Sequence, residues 1–242
     1  MNRSVDDMKR IITVLFFGLS LLLVGAGVSY SADFQKGLEA YEEGDFATAL
    51  REWGELAEQG DADAQRNLGW MYRQGIGLLQ DYKEAVKWYR KAAEQGSADA
   101  QNILGVMYST GQGIRPDHKE AAKWYRKAAE QGNASAQRNL GSVYRKGVGL
   151  LQDHKEAVMW YRKAAEQGDA DAQNILGSMY ATGQGILQDI VYAHMWFNIA
   201  ASNGNANGAQ ARDALVGNMT ASDLSKAQDF ARECVAKNYK GC

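Results

Sequence analysis

The chain of 242 residues holds one proline and two cysteines, against 26 glycines. With alanine, leucine, methionine, tyrosine and tryptophan in quantity, that scarcity leaves glycine as the punctuation between elements and points to helices rather than strands. An excess of either charge is also missing: 27 Lys and Arg against 29 Asp and Glu give a net charge of -2. This balance excludes bulk electrostatic attraction to nucleic acid or to an anionic membrane. Cys234 and Cys242 stand together near the end of the sequence. No cysteine follows the one long apolar run, where a lipid-accepting cysteine would lie, so no lipoprotein anchor is expected. In an oxidising compartment the two cysteines can close a short loop over VAKNYKG, a link that contributes roughly 2 to 3 kcal/mol.

Long hydrophobic stretches are absent beyond residues 11–24, IITVLFFGLSLLLV. This run has the length of a signal-peptide core, follows Lys9 and Arg10, and leads into the small-residue segment GAGVSYSA. Residues 1–31 are therefore read as an export signal, with small Ser29 and Ser31 before the cut and cleavage after Ser31; Val24 and Ala26 offer an earlier site. The run falls short of a bilayer span, and extension to Val28 reaches only the lower edge of that range, so an uncleaved anchor is the alternative. Asp6 and Asp7 are out of place in a positive leading segment, whereas a start at Met8 would begin MKRIITVLFF. The expectation is a periplasmic or secreted protein, free of the membrane once cleaved.

What the sequence has in abundance is repetition. EAVKWYRKAAEQG at residues 84–96 returns as EAAKWYRKAAEQG at 120–132, as EAVMWYRKAAEQG at 156–168 and, degraded, as YAHMWFNIAASNG at 192–204. Alignment on ADAQ and its variants puts unit starts at Ala62, Ala98, Ala134, Ala170 and Ala206, a strict period of 36 residues. Fixed periods of this size signal stacked supersecondary units. In each unit a first helix starts after a capping residue, Asp61, Ser97, Asn133, Asp169 or Asn205, and runs to a GxG turn. The second starts at Asp81, Asp117 or Asp153, followed at the third position on by Glu84, Glu120 or Glu156, in the manner of a capping box. Residues 37–60 hold a shorter copy. Residues 220–237 read as one amphipathic helix with Leu224, Ala227, Phe230, Ala231 and Cys234 on a face.

The recurring LGxMYxxGxG followed by DxKEAxxWYRKAAEQG resembles the Sel-one-like repeat family, a relative of the tetratricopeptide repeats. The likeness is close over residues 62–204 and looser on the flanks. There, residues 32–61 look like a tetratricopeptide unit serving as an N-terminal cap, and MTASDLSKAQDFAREC looks like the tail of exported bacterial members. The resemblance implies an all-α fold, a right-handed α-solenoid of stacked antiparallel helix pairs. Its divisions are 32–61, then 62–97, 98–133, 134–169 and 170–205, then a C-terminal capping segment at 206–242. It also implies an adaptor that binds a protein or peptide, often in the periplasm, with no cofactor; a monomer is expected.

On the second helix, Ala85, Trp88, Tyr89, Ala92 and Ala93 fall in one stripe and are read as core. Gly69, Gly105, Gly141 and Gly177 accept a helix-interior cost of about 1 kcal/mol so that an aromatic ring can fit against them. One helix pair cannot bury its apolar face alone, and identical copies bury it against each other. On the first helix, Ala64, Leu68, Met71 and Tyr72 define the buried side and leave Arg66, Trp70 and Arg73 opposite. That opposite stripe changes between copies while the buried one holds: it becomes Asn102, Val106 and Ser109, then Arg138, Ser142 and Arg145, then Asn174, Ser178 and Ala181. In tetratricopeptide-like stacks the first helices line the concave wall. By that resemblance Arg66, Trp70, Arg73, Arg138 and Arg145 line a groove, basic with an aromatic anchor, that suits an acidic protein segment.

Other motifs carry less. The GxG turns lack a third spaced glycine and a preceding strand, so they form no phosphate cradle. Arg90, Lys91, Arg126, Lys127, Arg162 and Lys163 make a basic row interleaved with Glu94, Glu130 and Glu166, which reads as a solvated outer face and not a platform for bases. His118 and His154 read as exposed helix starts with too few neighbouring ligands for a metal. Some cysteine-rich relatives are described as β-lactamases, which makes a hydrolase the rival reading; an envelope organiser tethered through its apolar run is another. No serine has lysine at the third position on, neither GxSxG nor HExxH occurs, and no repeat carries a cysteine pair, so no catalytic residue is expected.

Overall fold

The computed structural model describes residues 32–242. The export signal at 1–31, its cleavage point, the alternative anchor and the start at Met8 lie outside the described residues. Asp33–Cys242 forms one compact unit, and its regular structure among the described residues is entirely helical. The short copy supplies α1 (Phe34–Glu43) and α2 (Phe46–Glu58). The 36-residue copies supply α3 (Ala62–Gln74) with α4 (Tyr82–Glu94), α5 (Ala98–Thr110) with α6 (His118–Glu130), α7 (Ala134–Lys146) with α8 (His154–Ala165), and α9 (Ala170–Thr182) with α10 (Ile190–Ser202). The chain closes with α11 (Ala206–Val216) and α12 (Ala221–Ala236). From α1 to α11 each helix packs on its neighbours in sequence, the pattern of an α-solenoid, and α12 folds back onto α10.

Local chemistry sets the helix ends. The side chains of Asp61, Ser97, Asn133, Asp169 and Asn205 each accept the backbone N–H three residues on, satisfying a donor that the first turn leaves unpaired. Gly75, Gly111, Gly147 and Gly183 end the first helices in the left-handed region that glycine tolerates. The second glycine of each turn does something else. A Cβ on Gly113 would stand 2.2 Å from the Tyr82 carbonyl oxygen, and one on Gly185 would stand 2.2 Å from that of His154. These glycines let the turn press against the start of the second helix in the preceding repeat.

The capping boxes expected at the second helices are only half formed. Asp81, Asp117 and Asp153 accept the N–H of Glu84, Glu120 and Glu156. The reciprocal bond is absent because the aspartate N–H groups are already taken by the carbonyls of Tyr72, Tyr108 and Tyr144 at the ends of the first helices. Glu84 and Glu120 pair instead with Lys87 and Lys123 one turn on. A complete box does form at Thr220 and Asp223, where α12 begins.

The stripe read from sequence is the core: Ala85, Trp88, Tyr89, Ala92 and Ala93 of α4 are all inside, while the equivalent Trp124 and Ala201 are half-buried. Gly69, Gly105 and Gly141 lie under the rings of Tyr89, Tyr125 and Tyr161, and Gly177 under that of Phe197. Two polar ladders add to this packing. Gln65, Gln101, Gln137 and Gln173 are buried, and each donates its amide to the carbonyl of an alanine in the preceding second helix. Each also accepts from Gln95, Gln131, Gln167 or Asn203 at the end of the next second helix, so three helices meet at one side chain. The second ladder runs along the solvent-facing basic row and uses it to link repeats. Arg90, Arg126 and Arg162 donate to the hydroxyls of Tyr108, Tyr144 and Tyr180 in the following repeat. Lys91, Lys127 and Lys163 lie over the rings of Trp88, Trp124 and Trp160 at 3.9 to 4.3 Å.

The ends are closed differently. At the N-terminal cap Glu52 is covered by Lys36 and Arg51, whose hydrogen bonds hold its carboxylate down to about 2. At the other end Ala231 and Cys234 of α12 join the core of Trp196, Met195 and Ile199. Cys234 and Cys242 form a disulfide.

Candidate functional site

The first-helix stripe singled out in the sequence lies on the less buried face of α3, α5, α7 and α9, although Val106 and Ala181 in it also touch core residues. Trp70 is 40% exposed, and its indole N–H donates to the Tyr41 hydroxyl at 3.3 Å. Arg66 and Arg138 are about a third exposed, and both are engaged. Arg66 reaches Asp63 of its own helix at 3.4 Å and Asp99 of the next repeat at 3.3 Å. Arg138 reaches Asp169, the last residue of its own repeat, at 2.9 Å and Asp171 of the next repeat at 3.5 Å. Arg73 donates to the Gln112 side chain at 3.3 Å, and Arg145 donates through Nε to the Tyr161 hydroxyl at 3.4 Å.

The five residues do not converge on one point. Arg66 and Trp70 share a recess of about 320 Å³ between α3, α5 and α7, whereas Arg138 and Arg145 sit further along the stack on α7. The recess has Ile103 on one wall and Asn67, Asn102 and Asn133 around it, with Tyr89 of α4 reaching it from beneath. Two of its polar groups are fixed: Asn133 donates to Asp99 at 2.8 Å, and Asn102 accepts from Asn139 at 3.0 Å. Asn102 and Asn174 stand in the varying stripe of the first helices, but Asn67 and Asn139, one position on, are not singled out by that spacing. Yet one falls in every repeat on this face, at Asn67, Asn102, Asn139 and Asn174, alternating between two adjacent positions.

Tyr89 is fully buried, and burial pushes its hydroxyl well above the usual tyrosine range, against a smaller opposing influence from Arg73 and Arg66. That hydroxyl makes no well-formed hydrogen bond, since Arg73 turns its NH2 group to Gln112. His118 is exposed and His154 half-buried at their helix starts, and among the described residues no cluster of three or more His, Cys, Asp or Glu stands close enough to hold a metal ion.

Among the described residues no helix is long and apolar enough to cross a membrane. A comparison with curated proteins found no match. Among solved structures, a Sel1 repeat protein from Oxalobacter formigenes is 34% identical with a TM-score of 0.74, over 85% of each chain. A protective antigen present in uropathogenic Escherichia coli strains, displaying an SLR fold, is 35% identical with a TM-score of 0.77. That match covers 85% of this chain, which spans 46% of the length of the E. coli protein. The Sel1 repeat family model matches residues 62–97, 98–133, 134–169 and 170–205. The chain therefore belongs to the Sel1 repeat family, helical solenoids that typically mediate protein–protein interactions.

Proposed function

We propose that the protein is an exported, non-catalytic scaffold that holds a protein or peptide partner against the first-helix face, the concave side in stacks of this kind. The observation that carries the reading is Trp70. A large indole stands 40% exposed on a recessed face, held at its N–H by Tyr41 of the cap, and the equivalent positions hold Val106, Ser142 and Ser178. Exposed tryptophan at the centre of a recess is a frequent anchor for a partner. Export rests on the apolar run at 11–24 and agrees with the disulfide, which persists in oxidising compartments. An acidic partner has less support than the bare sequence offered, because Arg66 and Arg138 already face aspartates. That preference now rests on Arg73 and Arg145.

The test is site-specific photo-crosslinking in the native cell envelope. A photoreactive residue at Val106 or Ser142 is expected to trap a discrete partner that one at Lys123, on the opposite face, does not. Equal labelling from both faces would remove the groove as the site. Export is checked separately by the intact mass of protein from a periplasmic extract, expected to lack residues 1–31.

A further inference from the structure

The aromatic residue that covers the helix glycine occurs once per repeat, and the fate of its hydroxyl differs each time. Tyr161 has Arg145 as a donor at 3.4 Å, Tyr125 has Ser109 beside it, and in the fourth repeat Phe197 has no hydroxyl at all. Phe197 packs on Gly177 as the tyrosines pack on Gly69, Gly105 and Gly141, so the ring alone meets the packing requirement. Tyr89 keeps a buried hydroxyl with no well-formed hydrogen bond, a costly feature that Phe197 at the equivalent position does without. It lies beneath the recess that Trp70 borders.

The charges at this recess are already paired with one another. Arg66 joins Asp63 and Asp99, and Asn133 holds the other oxygen of Asp99. What remains uncommitted is neutral: the Asn67 side chain, the Asn102 amide N–H groups, the Tyr89 hydroxyl, and the apolar surfaces of Trp70 and Ile103. A side-chain amide offers a donor and an acceptor, the same pair that a peptide group offers, and aromatic surface beside such groups receives an uncharged ring. A volume of about 320 Å³ is at the small end of the range for ligand pockets.

We infer that this recess is a pocket for one uncharged aromatic side chain of an extended peptide, stacked on Trp70, with a polar acceptor of that peptide accepting a hydrogen bond from the Tyr89 hydroxyl. The inference rests on the first-helix face being the partner surface, and it replaces charge by shape and neutral hydrogen bonding as the source of recognition at this point. Asn67 and Asn102 then bond the peptide backbone on either side of the anchored residue.

The test uses terminally blocked nonapeptides with identical neutral flanks and Tyr, Phe, Leu, Glu or Lys at the centre, titrated by fluorescence anisotropy. The aromatic-centred peptides are expected to bind best, with affinity that changes less than about twofold between low and high salt, because these peptides carry no charge whose attraction salt could screen. Trp70→Ala should weaken binding by about 30-fold or more, as expected for an aromatic anchor. Tyr89→Phe should weaken it by about fivefold, the worth of one hydrogen bond, while leaving the melting temperature unchanged or raised. A lower melting temperature for Tyr89→Phe would make the hydroxyl a folding element and overturn the pocket. Preference for the Glu-centred peptide with strong salt dependence would also overturn it, while leaving the first-helix face as the partner surface. Binding of a neutral chito-oligosaccharide, lost on Trp70→Ala, with no peptide bound, would replace the peptide by a glycan. If no probe binds and crosslinks from Val106 are also missing, both the pocket and the groove fail.

Discussion

Gly105 and Gly54 are both helix-interior glycines, yet their surroundings demand opposite outcomes on replacement by alanine. In an open helix the change gains up to about 1 kcal/mol, because alanine loses less backbone freedom on folding. At Gly54 of α2 an added Cβ would meet nothing within 4 Å, so Gly54→Ala should stabilise the protein by about 0.5 to 1 kcal/mol. At Gly105 a Cβ would stand 2.7 Å from the Tyr125 ring and 3.2 Å from the Ala121 carbonyl. Overpacking of this kind costs about 1 to 3 kcal/mol and outweighs the helix gain, so Gly105→Ala should destabilise by about 1 to 2 kcal/mol. Urea unfolding of the two variants checks both signs; stabilisation at Gly105 would mean that the ring moves aside at no cost. The need for a ring over these glycines was legible in the sequence, since glycine in a helix interior requires a reason. So was the shared face of Arg66, Trp70 and Arg73, which follows from helical spacing alone. The charge state of that face was not legible, because Arg66 and Arg138 find partners across the repeat boundary, at Asp99 and Asp171.

Between elements, the same distinction separates local from stacked chemistry. The aspartate and asparagine caps and the glycine stops depend on residues a few positions apart, and the sequence displays them. Gln137 does not reveal its role so easily, because its partners lie in different helices. Its amide donates to Ala129 of α6 at 3.1 Å, and its oxygen accepts from Gln167, just beyond α8, at 2.7 Å. The half-formed capping boxes have the same origin, since Tyr72, Tyr108 and Tyr144 take the aspartate N–H groups only when the two helices of a repeat are docked. Gln137→Met keeps the volume near its own and removes both bonds, leaving the Gln167 donor to water; a loss of about 1 to 3 kcal/mol is expected. A double-mutant cycle with Gln167→Ala isolates the contact between helices. Coupling of about 0.5 to 1 kcal/mol is expected, and additive losses would show that the ladder accompanies the stacking without contributing to it.

At the scale of the whole stack, each repeat rests on its neighbours, so the last one needs a cover. The fourth repeat carries Asn198, Ile199 and Ser202 where earlier repeats carry Arg, Lys and Glu, and this loss of charge signalled in the sequence that something packs there. In the structure Ile199 is buried with Ala231 and Cys234 of α12. The disulfide loop then reaches further than the sequence could indicate. The Tyr239 hydroxyl donates to Asn203 at 3.1 Å, and the Gly241 N–H donates to Glu166, 75 positions earlier, at 3.3 Å. The cover is thus fastened both by its apolar face and by a loop that grips the ends of α8 and α10. These two fastenings should separate in experiment. Reduction of the disulfide removes the constraint on the loop, worth roughly 2 to 3 kcal/mol, while the apolar face of α12 stays in place. Hydrogen exchange should therefore quicken in α12 and in residues 237–242 and remain slow in α3 to α8, because nearest-neighbour stacking confines the loosening to one end. Deleting residues 220–242 uncovers Ile199 and its neighbours, so exchange should quicken through α10 and the protein should begin to self-associate. If α10 exchanges at the same rate in the deletion variant as in the intact protein, α12 is an appendage and the stack ends stably without it.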